Sequence, residues 1–568
     1  MRNIIIAALL MALSLSSTAL SAPGDIFEQQ QKAKRQEMEQ LQRINEKRIT
    51  VDVPQQTQAL PEQPAGPVRP EGTGSAENFY VGRFTIDDCG TDKFQWLHKV
   101  TDQFAEKKVS LKQIFSLQKQ LTNELYAKGY VTSSVIIPEQ DYRRNKSFRF
   151  LVIPGYIEDI RFKDASMMGT WRNAFPCAKG DILNSYALEQ GLEQMRRAGN
   201  QDVKIDIKPS EKPGQSVVVL DVKRSKSWTM DLSWDDAGQK ATGRKELTGT
   251  LTLHNPTGLN DVLVLGYTQD TEKHNERLGV HNNSFYYSLP YKGLTFTASK
   301  YYNTYRQTTA MLDGSPYQFE GKTDTWEIGV NALLHRDRLR KTEFISKLIR
   351  RHKRGYDNLN GRLESQELNT AAFQVGINHR QYEKDGMLNL LLYLQKGIPG
   401  FGSEAGWEDA TPEGQRTRYA MLGWSLYYGT PFKLGSIRPK FSTAFRGQYT
   451  KQKLYGADHM SIGGRYSVRG YDGENTLSAE NGYVWRNELA FQIPKLKTEF
   501  YLGADYGRVW GPSDMFNIRD YLIGAFGGLR GKLGRQLSYD IFIGTPIHKP
   551  DGFKAGKTAA GFNINLSY

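Results

Sequence analysis

From about Lys226 to Tyr568 the chain alternates apolar and polar residues with a period of two, in short segments separated by Gly, Asn, Asp and Pro. Successive strand side chains point to opposite faces, so one row meets an apolar surrounding and the other a polar one. Trp228–Trp234, Leu247–Leu253, Val262–Tyr267, Leu294–Lys300, Tyr419–Tyr427 and Phe441–Tyr449 read as such strands. In the last, Gly561–Tyr568, Phe562, Ile564, Leu566 and Tyr568 share one face, and Gly561, Asn563, Asn565 and Ser567 the other. The polar rows are too regular for a dry core. About sixteen segments fit into 226–568, which predicts a transmembrane β-barrel of about sixteen antiparallel strands with a polar lumen. Its terminal aromatic suits handover to the outer-membrane assembly machinery.

Composition agrees. No apolar run after the N-terminus approaches the ~20 residues of a membrane-spanning helix. Yet the chain carries 54 Gly, 30 Tyr and 26 Phe. Met1-Arg2-Asn3, the apolar stretch from Ile4 to about Leu15 and small residues through Ala22 read as a signal peptide, residues 1–22. The net charge of +14 invites a nucleic-acid reading, but an exported chain rarely meets nucleic acid, and no such partner is expected. The densest basic run, Arg350–Arg354, reads as a solvated loop or strand end touching lipid phosphates, and outer-membrane lipids and lipopolysaccharide are expected around the chain. Cys89 and Cys177 are the two cysteines. In an oxidising compartment they either pair or stay free, and spacing does not decide which.

Between the signal and the barrel the sequence divides further. Residues 23–48 predict a polar helix with a thin apolar stripe (Phe27, Met38, Leu41, Ile44), suited to solvent or to a polar cavity rather than to a core. Residues 49–75, with Pro54, Pro61, Pro64, Pro67 and Pro70, form an extended linker. Residues 76–155 read strand (Val81–Ile86), helix (Phe94–Glu106), helix (Leu111–Lys128, capped by Gly129), strand (Val131–Ile137) and strand (Ser147–Ile153). Residues 156–225 repeat the order in shorter form: strand Tyr156–Phe162, helix Tyr186–Ala198 with Gly199 after it, then strands Val203–Ile207 and Ser216–Val222. Two consecutive units of one pattern are an internal repeat.

One connection stands out. If the first barrel strand rises from the periplasm, residues 452–482 form a long extracellular loop, and long loops of this kind are usually functional or disordered. It holds Gly463-Gly464-Arg465-Tyr466-Ser467-Val468-Arg469-Gly470-Tyr471. Further on, alternation in Glu499–Gly507 turns Phe500, Leu502, Ala504 and Tyr506 to lipid and Gly503, Asp505 and Gly507 to the lumen. Two glycines beside one carboxylate leave a smooth slot, into which an arginine fits bidentately. Glu488 and Asp540 also fall on lumen faces. On spacing alone the plainer reading is slightly favoured: a solvated loop arginine and an ordinary pore carboxylate.

Ser461–Tyr471 resembles the VRGY/F loop signature of the BamA–TpsB superfamily, specifically the TpsB transporters of two-partner secretion. Asn255-Pro256-Thr257-Gly258-Leu259-Asn260-Asp261, Leu188-Glu189-Gln190-Gly191-Leu192 and Gly503-Ala504-Asp505-Tyr506-Gly507 add to the resemblance, which covers the mature chain in order. Within that family the chain is similar to CdiB and haemolysin-type (ShlB-like) transporters. Tyr471 stands where many members have Phe.

The resemblance implies two periplasmic POTRA domains (76–155 and 156–225), a barrel in the outer membrane of a Gram-negative bacterium, and a plug helix (23–48) that leaves the lumen during transport. It implies export of one large β-helical exoprotein, a TpsA partner of the CdiA toxin type or alternatively a haemolysin or adhesin. No ATP is used, and the POTRA domains capture the partner, as by strand addition. It also implies that Arg469 pairs with Asp505, with Gly470, Tyr471, Gly503 and Gly507 around them. A monomer without cofactor or metal is expected. The rival from another class is an assembly insertase, which shares the POTRA units and loop motif. An enzyme is not expected: the chain lacks G-x-S-x-G and H-E-x-x-H, and Gly552–Thr558 imitates a P-loop with one residue too few between its glycines.

Overall fold

The computed structural model describes residues 78–568 apart from 142–145, 273–277, 311–314, 384, 405–413, 494–495 and 513–519. The expected signal peptide, plug helix and linker lie outside the described residues.

Each small unit is a three-stranded sheet against one main helix. In the first, Arg83–Asp87 pairs in parallel with the central strand Ser147–Ile153, whose other neighbour is the antiparallel Ser134–Ile136. The helix Leu111–Ala127 starts at Ser110, which shares a capping box with Gln113. Ile114, Leu117, Leu121 and Leu125 recur at helical spacing and are buried against Phe84, Phe148 and Phe150. The long helix expected over Phe94–Glu106 is instead three short turns, Gln95–Leu97, His98–Thr101 and Asp102–Phe104, none with a side-chain cap.

The second unit repeats the topology. Tyr156–Phe162 and Gln201–Pro209 flank the central Gln215–Arg224, and the helix is Ser185–Arg196, capped by Asn184. Gly191 exists for packing: a Cβ there would fall 2.3 Å from the Phe175 ring. The two cysteines do not pair. Cys89 is an exposed residue of the first unit that points at the Val152 carbonyl, whereas Cys177 is buried in the core of the second, where burial pushes its thiol up to about 12.

Sixteen antiparallel strands close the barrel, from Trp228–Asp235 to Ala559–Ser567, which pair with each other. Across that seam the Trp234 and Phe562 rings meet outside at 4.8 Å, tilted by 60°, and Ser233 bonds Asn563 on the other face. Several strands far exceed ten residues: Pro316–Arg336 has 21, Arg340–Asp357 has 18 and Gly361–Tyr382 has 22. The basic run Arg350–Arg354 therefore lies within a strand.

The second unit is docked on the barrel's periplasmic end. The turn Asn255–Asp261 is tied internally by Asn255 N to Asp261 O (2.8 Å) and Asn260 N to Asn255 Oδ1 (2.7 Å). From it Asn260 donates to Thr170 O and Asn173 Oδ1, and accepts from Gln201 Nε2. On the docking helix, Glu193 takes Lys341 Nζ at 2.7 Å and also Arg336, which bonds Gln190 at 2.9 Å. Burial raises the Glu193 carboxyl, but Lys341 and Arg336 outweigh it and hold it well below its usual range.

Candidate functional site

The connection between the eleventh strand, Lys440–Tyr449, and the twelfth, Asn481–Ile493, folds into the barrel. Met460–Ile462 and Leu477–Ala479 pair as a small hairpin, and Ile462, Val468 and Tyr471 are buried against Val484, Val509 and Leu522 of the wall. The turn is tight because Ser467 Oγ accepts both Gly463 N (3.0 Å) and Gly464 N (3.1 Å).

Arg469 stands at its tip. It donates Nε to Asp505 Oδ2 at 2.7 Å and Nη2 to Asp505 Oδ1 at 2.9 Å, and its backbone N–H adds a third bond at 3.0 Å. Nη1 bonds Glu488 Oε2 at 2.6 Å, and the guanidinium lies 3.5 Å from the Phe526 ring centre. Asp505 is 1% exposed. Taking such charges out of water costs several kcal/mol per ion, and the fork geometry with its extra donors offsets that cost. Glu488 passes the network on to Arg530 at 2.7 Å, and Arg530 reaches Glu499 at 2.8 Å. Asp540, the other expected candidate, instead accepts the Tyr501 hydroxyl at 2.5 Å.

The glycines make room. A Cβ at Gly507 would meet Val468 Cγ2 at 2.6 Å, so this position receives the loop directly. At Gly503 the space goes to the Phe526 ring (2.5 Å), the platform under Arg469. Gly470 has φ +109 and nestles between two wall glycines: a Cβ on Gly524 would fall 2.0 Å from the Arg469 carbonyl oxygen, and one on Gly544 2.8 Å from Gly470 Cα. Tyr471 donates to the His548 carbonyl and packs edge-on against Phe553 at 5.9 Å. Burial alone pushes its phenol up to about 12, so it stays a neutral donor.

Sequence reasoning missed Phe526, Arg530, Gly524 and Gly544. It also missed two loop anchors: Arg351 to Asp458 at 3.1 Å, and Arg465 to Asp236 at 3.3 Å. A lumen glycine within a strand, as at Gly524 and Gly544, was the available signal.

Two POTRA units beneath a sixteen-stranded barrel, with a loop anchored in its lumen, define a POTRA-bearing outer-membrane transporter. The chain belongs to the family of haemolysin secretion/activation proteins ShlB/FhaC/HecB, whose model matches residues 214–531. It is thus a TpsB transporter of the CdiB type and not an enzyme, with its barrel in the outer membrane and its POTRA domains in the periplasm. The ShlB-type POTRA model matches residues 87–155 and a second POTRA model residues 156–209. The outer membrane transporter CdiB-2 of Burkholderia pseudomallei is 33% identical over 98% of both chains. The hemolysin transporter protein HpmB of Proteus mirabilis is 29% identical over 69% of both. CdiB from Acinetobacter baumannii is 25% identical and superposes with a TM-score of 0.81 over 96% of this chain and 100% of that one. CdiB from Escherichia coli, 24% identical, shares the fold at 0.80 over 97% and 100%.

Proposed function

We propose that this transporter exports one large secreted exoprotein of the TpsA class, of the CdiA toxin type, and that it does so without ATP. The observation that carries the reading is the loop anchored by Arg469 to Asp505 and Glu488 inside the lumen. Such a lock closes the pore at rest and releases on demand, because it is held by side chains and not by strand pairing. Arg469, Gly470, Tyr471, Asp505, Gly503 and Gly507 form it, with Glu488 sharing the arginine.

The POTRA domains capture the partner. In the first, the short edge strand Ser134–Ile136 lies beside the helix Leu111–Ala127, bridged by Gln118 Nε2 to Val135 O at 2.8 Å. Leu111, Phe115 and Ile136 are exposed there, which suits an incoming strand with apolar side chains. The polar segment 23–48 plugs the lumen at rest and leaves with the loop. Folding of the exported chain outside biases movement outward. The transporter works as a monomer and reaches the membrane through the assembly machinery.

Quantitative proteomics of the cell surface and culture medium, with and without this chain, tests the reading. Loss of one very large protein is expected. A broad fall across many outer-membrane barrels would indicate an assembly insertase, and an unchanged secreted proteome would overturn export of a dedicated partner.

A further inference from the structure

The outer wall of the barrel changes character along a single line on three neighbouring strands. On Leu294–Ala310 the outward row runs Phe296, Ala298, then Lys300 and Tyr302. On Pro316–Arg336 it runs Val330, Ile328, Trp326, then Asp324 and Lys322. On Arg340–Asp357 it runs Phe344, Ser346, Leu348, then Arg350, His352 and Arg354. Register aligns these switches: Lys300 lies opposite Trp326, and Trp326 opposite Arg350. The row faces outward, since Ile328 is 60% and Trp326 43% exposed while the alternate residues Thr323 and Thr325 are buried. Below this line the wall is an apolar band with an aromatic at its rim, as lipid requires; above it is cationic.

Among the described residues the charges above the line do not balance. Lys300 is within 3.5 Å of Asp324, while Lys322 and Arg306 share Glu320 at 2.9 and 3.4 Å. His352 and Arg362 both take Glu367. The carboxylates are therefore occupied. Among the described residues, Arg350 and Arg354 have neither a hydrogen bond nor an ion pair, and Arg354 Nε is buried without a partner. Arg354 also lies directly opposite Lys322, a like-charge pair that costs stability unless an anion sits over it. Glu320 answers Lys322, but among the described residues no carboxylate answers Arg354.

We infer that the outward face of these three strands is a binding site for the phosphates of lipopolysaccharide, held by Arg350 and Arg354 above a rim formed by Trp326. The chemistry follows from the residues. Guanidinium groups pair with phosphate bidentately. Their position directly above the apolar band is where a lipid presents its headgroup, with its acyl chains running down over Ile328, Phe344 and Leu348. A soluble anion would have no use for that apolar continuation. The inference extends the expectation of lipopolysaccharide contact to a defined site, and it rests on the barrel's place in the membrane, not on the cargo.

The test is native mass spectrometry of the full chain in detergent, titrated with diphosphorylated lipid A. The wild type is expected to hold lipid A, and the double variant Arg350→Glu/Arg354→Glu to bind at least tenfold more weakly. Heat-modifiable migration on gels verifies that the variant barrel is folded; if it is not, Arg350→Gln/Arg354→Gln replaces it. Dephosphorylated lipid A should bind the wild type as weakly as diphosphorylated lipid A binds the variant. Equal binding by folded variant and wild type would overturn the site. Displacement of lipid A by millimolar inorganic phosphate alone would overturn the lipid assignment in favour of a free-phosphate site.

Discussion

Arg469 in the inserted loop and Asp505 in the thirteenth strand, Thr498–Trp510, are joined by three hydrogen bonds, one of them from the arginine's own backbone amide. The pair thus fixes both the side chain and the path of the loop. Glu488 completes the arginine's fork from the neighbouring strand. Removing one partner of such a buried pair costs about 3–5 kcal/mol, because the other charge is left uncompensated. Arg469→Ala and Asp505→Asn should therefore depopulate the docked loop and lower secretion while the barrel still inserts. Secretion assays beside heat-modifiable migration check this, and normal secretion by Arg469→Ala would remove the pair from the transport cycle.

The glycine contacts give a purely steric test. Gly524→Val places atoms where the Arg469 carbonyl oxygen now sits, so the loop should be expelled although no charge changes. Gly470→Ala strains a backbone at φ +109, at a cost of about 1–3 kcal/mol. Both variants should expose the loop to added protease on whole cells. Protection equal to wild type would show that the loop tolerates a different seat.

The docking of the second POTRA domain should depend on acid. Glu193 has its carboxyl held below its ordinary value of 4.5 by Lys341 and Arg336, against the effect of burial. A carboxyl lowered on folding contributes stability that is complete above the ordinary value and is lost as pH falls through the folded value. The contact should thus be constant near neutrality and loosen progressively below about 4.5. Glu193→Gln should weaken it at every pH and flatten the acid limb. Cross-linking yield between this helix and the Arg336–Arg340 turn, measured against pH, reads the effect.

Deleting residues 24–48 should raise single-channel conductance in planar bilayers. Unchanged conductance would place the polar segment outside the lumen.

Phe115→Asp should weaken capture of the exported partner without disturbing the first POTRA core, since Phe115 is exposed while Leu117 and Leu121 are buried. Pull-down of the partner's N-terminal region with the full transporter would measure it. Equal recovery would move the capture surface away from this edge.

Local rules carried much of the molecule. Period-two alternation depends only on strand geometry, so Asp505 could be assigned to the lumen and Phe500 and Leu502, both exposed on the outer wall, to lipid without knowledge of any neighbour. Helical spacing and caps likewise place Leu111–Ala127 and its buried face, because each contact lies within a turn or two. The strand Ser147–Ile153 falls where its alternation predicts. Register and closure are different in kind. They couple residues hundreds of positions apart, as where Trp234 meets Phe562, and no local pattern encodes them. For the same reason only the tertiary structure decided that the loop turns inward, that Glu488 and not Asp540 shares Arg469, and that Gly524 and Gly544 admit Gly470. It also decided that Cys89 and Cys177 stay apart, each in a separate unit. Sequence determines which face a side chain takes; only packing determines what it finds there.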